Sequence, residues 1–177
     1  ASRVVVIVVH VNGFHPGWSP APEVQLLLEV GAAVGDLRRV RLPAGEKLAH
    51  FKTANKLAQI MARAEADAAG ADEAVLCNTD GFVVEGASSN LFWVEGDTIC
   101  TPPLASGILA GVTRAVTLEL CAKLGLPHAE RQITPDNLRR AQAVFVTLSS
   151  FGVVAAVTLD GVALNHSPLV TKLSDAY

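Results

Sequence analysis

Asp80-Gly81-Phe82-Val83-Val84-Glu85-Gly86-Ala87-Ser88-Ser89-Asn90-Leu91-Phe92-Trp93-Val94-Glu95-Gly96-Asp97 is the stretch whose reading decides the fold. Its two apolar runs, Phe82 to Glu85 and Asn90 to Val94, are rich in β-branched and aromatic residues and are bounded by Thr79-Asp80-Gly81 and Glu95-Gly96-Asp97, both turn sequences. With Glu73 to Asn78 before them and Thr98 to Thr101 after, they predict an antiparallel meander. Upstream, Ala54, Leu57, Ala58, Met61, Ala64 and Ala68 keep helical spacing, which predicts a helix over Thr53–Ala69 stopped at Gly70. Downstream, a second amphipathic helix is expected over Val112–Leu124, ended by Gly125. Thr134-Pro135 and Ser167-Pro168 have the N-cap and N1 pattern of two further helices. Ala143 to Thr147 and Val153 to Leu159 read as strands, the latter followed by an Asp160-Gly161 turn. The class is α/β or α+β with a mixed sheet.

The 177 residues, half of them apolar, suffice for one substantial core. A net charge of −3 with no charge runs gives no field favouring nucleic acid or an anionic membrane, so neither partner is expected. The longest apolar run, Val4 to Val9, is far short of the roughly 20 residues of a membrane span and reads as a buried strand. Cys77, Cys100 and Cys121 are odd in number and widely spaced, which points to a reducing cytoplasm rather than a disulfide framework. His10, His15, His50, His128 and His166 show no metal-ligand spacing, and no metal is expected.

Composition changes near residue 45. Arg3 to Val11 and Val24 to Val30 are strand-like runs joined by a loop, Asn12 to Pro22, and Leu37 to His50 reads as strand and connector. Residues 1–45 are therefore expected to be the remnant of an N-terminal domain with its connector, and 46–177 the main domain.

Three features carry chemistry. Lys52 follows Ala49-His50-Phe51 at the junction of an extended segment and a helix, where an amine could project into a cleft; a solvated helix-start lysine is the plainer reading. Glu85 ends an apolar strand and precedes the small residues Gly86 to Ser89, so it could hold a cationic ring nitrogen, or be a strand-end surface acid. Gly107 to Arg114 sets two glycines before Val112-Thr113 at a helix start, where free amides, the helix dipole and a hydroxyl could converge on a phosphate, although glycine-lined helix starts are common. Thr147, Ser149 and Ser150 could add hydroxyls after a later strand, or form a polar turn. An amine, an acid and a phosphate cradle are what pyridoxal phosphate requires.

Phe51-Lys52-Thr53-Ala54-Asn55, Ala71-Asp72-Glu73-Ala74, Asp80 to Gly86, Ser89-Asn90-Leu91-Phe92, Thr101-Pro102-Pro103-Leu104 and Gly107 to Arg114 resemble, in that order, the fold-type IV pyridoxal-phosphate enzymes. The resemblance covers residues 43 to 165, and implies the D-amino-acid aminotransferase-like fold, mainly its C-terminal domain. It further implies that Lys52 captures the cofactor aldehyde and shuttles protons, and that Glu85 pairs with the pyridine nitrogen. Leu109 would pack on the ring, Gly111, Val112 and Thr113 would hold the phosphate through the helix start with Ser149, and Arg114 would lend support. A homodimer is the family habit.

Within the family, the alternatives are aminodeoxychorismate lyase and the branched-chain or D-amino-acid aminotransferases. Branched-chain transaminases typically place a tyrosine where this chain has Lys56, and a Gly-Thr-Ala loop where it reads Thr147-Leu148-Ser149-Ser150-Phe151-Gly152-Val153. Both departures resemble the lyase, which converts 4-amino-4-deoxychorismate to 4-aminobenzoate and pyruvate in folate biosynthesis. Family members carry a fuller N-terminal domain with a His-x-x-Arg-Leu segment that does not occur here. A catalytically incomplete binding module is therefore a further alternative.

Overall fold

The computed structural model describes residues 41–177 and, for residues 7–11, the backbone. The expected strand Val24–Val30 and the loop Asn12–Pro22 lie outside the described residues. The first described strand, β1, runs Ile7–Val11; residues 4–6 of the apolar run Val4–Val9 lie outside the described residues. The meander follows as β2 (Glu73–Cys77), β3 (Val83–Gly86), β4 (Asn90–Glu95) and β5 (Thr98–Thr101). Then come β6 (His128–Glu130), β7 (Ala143–Leu148), β8 (Gly152–Leu159) and β9 (Val162–Ala163). Four helices accompany them: α1 (Leu57–Ala68), α2 (Val112–Lys123), α3 (Pro135–Leu138) and α4 (Pro168–Ala176).

The strands form one mixed sheet in the order β3-β2-β1-β8-β7-β4-β5-β6, with β9 against β8 and a further pairing of β3 with β4. That last pairing closes six strands, β3, β2, β1, β8, β7 and β4, into a circuit. β1 lies between β2 and β8, through Val9 opposite both Glu73 and Leu159, so this part of the first 45 residues shares the sheet of the rest. β5 and the parallel β6 extend the sheet beyond the circuit.

Side chains alternate between two buried layers, as a sheet covered on both faces requires. Leu91 and Trp93 of β4 join Val75, Val83, Val144 and Val146 on one face. Phe92 and Val94 join Ile99, Phe145, Cys121 of α2 and Leu173 of α4 on the other. Phe92 and Phe145, paired across β4 and β7, stack with centroids 4.9 Å apart, an arrangement that contributes about 0.5–1.5 kcal/mol beyond its buried area. A third cluster packs Ala62 and Ala66 of α1 on Ala74 and Leu76 of β2 and Val84 of β3.

One expectation is corrected. The helix expected from Thr53 starts at Leu57, after Lys56 with φ −120° and no side-chain cap. The Lys56 amide bonds the Ala54 carbonyl, a tight-turn contact that a helix cannot contain. Thr53 and Asn55 have short polar side chains that favour such non-helical turns. Of the stretch Leu37–His50, residues 37–40 lie outside the described residues; the rest holds a single bridge of Leu42 to Asn78 and a 3-10 turn at Lys47–His50. β6 was not expected, because His128-Ala129-Glu130 carries no apolar alternation.

Candidate functional site

β4 pairs along one edge with β7 and along the other with two strands: β3 at Asn90, and β5 from Trp93 to Glu95. The edge therefore forks. The Thr101 hydroxyl donates to the Leu91 carbonyl inside the fork at 2.8 Å. Across the fork's mouth run Glu85, Asn90, Thr147 and Val153, each opposite the next in register. Directly opposed residues share one face of a sheet. Glu85, Asn90 and Thr147 are all buried, so three polar side chains stand in a row on a face that is otherwise apolar.

The loop leading into α2 is fastened to that row. Asn90 Nδ2 donates to the Leu109 carbonyl at 2.9 Å, and the Leu109 amide donates to Glu85 Oε2 at 2.9 Å. Asn78, at the β2–β3 turn, donates to the Ser106 carbonyl at 3.3 Å. Two glycines permit the close approach. Gly107 has φ +86°, and a Cβ there would stand 3.1 Å from the Pro43 carbonyl oxygen; a Cβ at Gly111 would collide with Asn90 Oδ1. Gly111 is also the N-cap of α2 and offers no side chain to the first-turn amides. These amides and the positive end of the helix dipole favour an anion.

Two buried hydroxyls support the same reading. Thr113 Oγ1, in the first turn of α2, and Thr147 Oγ1, beside Asn90, have no hydrogen-bond partner. A buried hydroxyl left unpaired costs about 1–3 kcal/mol, and a ligand rich in acceptor oxygens would remove that cost. Ser106 Oγ and Arg114 Nε, on the same loop and helix, are likewise unpartnered. Arg114 is anchored through Nη2, which donates to the Pro102 carbonyl at 3.0 Å and to Glu130 Oε2 at 2.8 Å. Its contacts therefore tie α2 to β6.

Burial pushes the Glu85 carboxyl up to about 7, opposed by the Leu109 amide, the charge of Lys56 and a hydrogen bond from Gln59, and assisted by the charge of Glu73. A desolvated acid of this kind ionises readily only when a cation arrives beside it. Burial also pushes Cys77 and Cys121 up to about 11, so these free thiols are poor nucleophiles. Among the described residues, no group of three or more His, Cys, Asp and Glu side chains is placed to hold a metal, and no helix is long and apolar enough to cross a membrane.

The structure thus brings Glu85, Leu109, Gly111 and Thr113 together. Val112, at the start of α2, is 76% exposed. Lys52 is exposed, in the irregular segment between the 3-10 turn and α1, and Ser149 is exposed on the β7–β8 turn. Asn90, Gln59 and Glu73 escaped assignment from sequence. An asparagine opening an apolar strand is a signal that could have drawn attention to the first; the other two act through distant pairings that leave no local trace.

The family described as amino-transferase class IV matches residues 6–158. A provisionally named branched-chain-amino-acid aminotransferase of Methanocaldococcus jannaschii is 34% identical over 134 residues, covering 75% of this chain and 46% of that relative. A D-alanine aminotransferase of Bacillus licheniformis is 38% identical over 111 residues, covering 63% and 39%. A solved structure from Legionella pneumophila, provisionally named 4-amino-4-deoxychorismate lyase, superposes with a TM-score of 0.73 at 32% identity, over 77% of this chain and 51% of that one. The T.th. branched-chain amino acid aminotransferase, solved with pyridoxamine 5'-phosphate, gives a TM-score of 0.73 at 31% identity, over 78% and 46%. The chain spans about half the length, or less, of the curated relatives and solved structures it matches.

Proposed function

We propose, because the chain belongs to the class IV aminotransferase family, that it acts as a 4-amino-4-deoxychorismate lyase, yielding 4-aminobenzoate and pyruvate. The family's cofactor is pyridoxal 5'-phosphate, and the residues present fit it. The orphaned hydroxyls of Thr113 and Thr147 and the uncapped start of α2 suit its phosphate, and the desolvated Glu85 suits its ring nitrogen. When bound, the cofactor supplies an electron sink for cleavage next to the substrate nitrogen.

The chain's own groups divide the remaining work. Lys52 is the amine that would hold the cofactor and move a proton at Nζ. Glu85, steadied by the Leu109 amide, pairs its carboxylate with the protonated ring nitrogen. Leu109 would pack against the ring, and Gly111, Val112, Thr113 and Ser149 would hold the phosphate. The division into an N-terminal remnant and a cofactor-binding unit from residue 46 is part of this proposal, as is a homodimer, which sedimentation equilibrium would test.

The observation that carries the lyase reading is Lys56. It is half-buried and close enough to act on the charge of Glu85, at the position where the resemblance places a tyrosine in branched-chain transaminases. The β7–β8 turn supports the same choice. Transamination is the second reading, favoured by the aminotransferase names of the curated relatives.

The first test is the visible absorption of the chain with added pyridoxal phosphate, followed by borohydride reduction and peptide mapping. A label on Lys52 supports a competent site, and labelling spread over surface lysines favours the binding module. The second test supplies 4-amino-4-deoxychorismate. Appearance of 4-aminobenzoate and pyruvate in equal amounts is the expected result; amino groups recovered on a 2-oxo acid instead would move transamination ahead.

A further inference from the structure

Glu73 is buried at 4% exposure, and it spends its carboxylate on one short loop. Oε2 accepts from the Ser88 amide at 3.2 Å, the Ser88 hydroxyl at 2.7 Å and the Ser89 hydroxyl at 2.9 Å; Oε1 accepts from the adjacent Ala74 amide at 3.0 Å. Four donors satisfy the two oxygens and none of the four is a cation, which is an unusual home for a charge. The loop so gripped, Gly86 to Ser89, joins Glu85 to Asn90, the two polar residues that hold Leu109. A Cβ on Gly86 would collide with Ser89 Oγ and stand 3.1 Å from the Glu73 carboxyl. The loop is therefore folded tightly down onto this one side chain.

We propose that Glu73 is a positioning residue of the candidate site: it clamps the Gly86–Ser89 turn so that Glu85 meets Leu109. Its carboxylate also sets a like charge near Glu85. The inference rests on the reading of Glu85 as the group that faces the cofactor's ring nitrogen. It adds a second carboxylate that never touches the cofactor. The groups facing Glu85 are Lys56 and Gln59 at the start of α1, the Leu109 amide from the loop before α2, and Glu73 from β2. Of these, Glu73 is the group whose charge opposes ionisation. The two effects separate by substitution. Glu73→Gln removes the charge and keeps an oxygen for the Ser88 amide and both hydroxyls, giving up the bond from the adjacent Ala74 amide, whereas Glu73→Ala removes charge and clamp together.

The experiment is a titration of the full chain labelled with 13C at the glutamate carboxyls, with the Glu85 signal assigned by its loss in Glu85→Gln, alongside amide hydrogen exchange and the dissociation constant for pyridoxal phosphate. In Glu73→Gln the Glu85 midpoint should move down by roughly half a unit to one unit, the sign required when a like charge is removed, with exchange at Ser88 little changed. In Glu73→Ala, exchange at Gly86 and Ser88 should rise at least tenfold and cofactor affinity should fall by a similar factor. An unmoved Glu85 midpoint in Glu73→Gln together with unchanged exchange in Glu73→Ala would overturn the proposal. A residue that merely stabilised the fold would lower the melting temperature of Glu73→Ala without moving the titration in Glu73→Gln. Should Glu73→Ala not fold, the midpoint in Glu73→Gln decides alone. If the parent chain forms no adduct at Lys52, the functional reading fails, while titration and exchange still decide the role of Glu73.

Discussion

The two sides of the candidate site are built by different means. Glu85, Asn90 and Thr147 sit in register on three paired strands, buried, with the Leu109 loop bonded to the first two. Lys52 sits on an irregular segment between a 3-10 turn without buried residues and the start of α1, exposed and flanked by Phe51, itself 67% exposed. The side that carries Glu85 is thus held by the sheet's own pairing, so its geometry is inseparable from the core. The amine side hangs from short-range contacts. The residue to which the proposal gives proton transfer is thus on the exposed, irregular segment and not on the sheet.

Changing Lys52 should produce the largest functional effect and the smallest structural one. Lys52→Ala should abolish the borohydride-trapped adduct and lower cofactor-dependent turnover by roughly 10²–10⁴-fold, while the melting temperature stays at the parent value, because the side chain is exposed. A large fall in melting temperature would break the contrast between the two sides.

Glu85 should behave in the opposite way. Its folded pKa, about 7, lies above the ordinary 4.5 because burial penalises the charge. The fold therefore favours the protonated acid, and this contribution is fully present below pH 4.5 and lost as pH rises through about 7. The full difference corresponds to about 3 kcal/mol. Glu85→Gln carries no such charge, so urea unfolding of the cofactor-free chain should find it more stable than the parent at about pH 8, by up to that amount, and nearly equal at about pH 4. The same variant should bind pyridoxal phosphate more weakly. Equal pH profiles for the two proteins would remove the argument from burial.

Gly111→Ala should cost about 1–3 kcal/mol, since its Cβ must displace Asn90 and with it the bond to Leu109; thermal unfolding measures it. Thr113→Val probes the orphaned hydroxyl. It should leave the cofactor-free chain as stable as the parent or more so, yet weaken phosphate affinity by about tenfold, a divergence that separates a ligand-directed hydroxyl from a packing one. Ser149→Ala, on the exposed turn, should change stability by no more than about 0.5 kcal/mol and cofactor affinity by a few-fold.

The strands of the meander could be read from sequence to within a residue or two, because β-branched and aromatic runs between glycine turns have few other ways to bury themselves. α2 was as legible, with Gly125 at φ +66° closing it. The start of α1 was not, since Ala54 fits a helical stripe as well as a turn and only the Ala54–Lys56 contact decides. Glu85 and the Gly107–Thr113 stretch stood out as chemistry, but what assembles them did not. Asn90 reaches Leu109 across 19 residues of chain, and Glu73 reaches Ser88 across 15. Pairings at that range depend on strand register, which no local pattern records.

The closed circuit of strands also has a consequence in time. β1 leaves the ribosome before either of its neighbours, and Val9 must find Glu73 on one side and Leu159 on the other. At roughly 5–20 residues per second, several seconds of synthesis separate the appearance of those two partners. During that interval β1 has only one of its two described partners, and an edge left unpaired is open to any extended segment nearby. Shelter for the nascent chain until β8 arrives should therefore raise the yield of this fold.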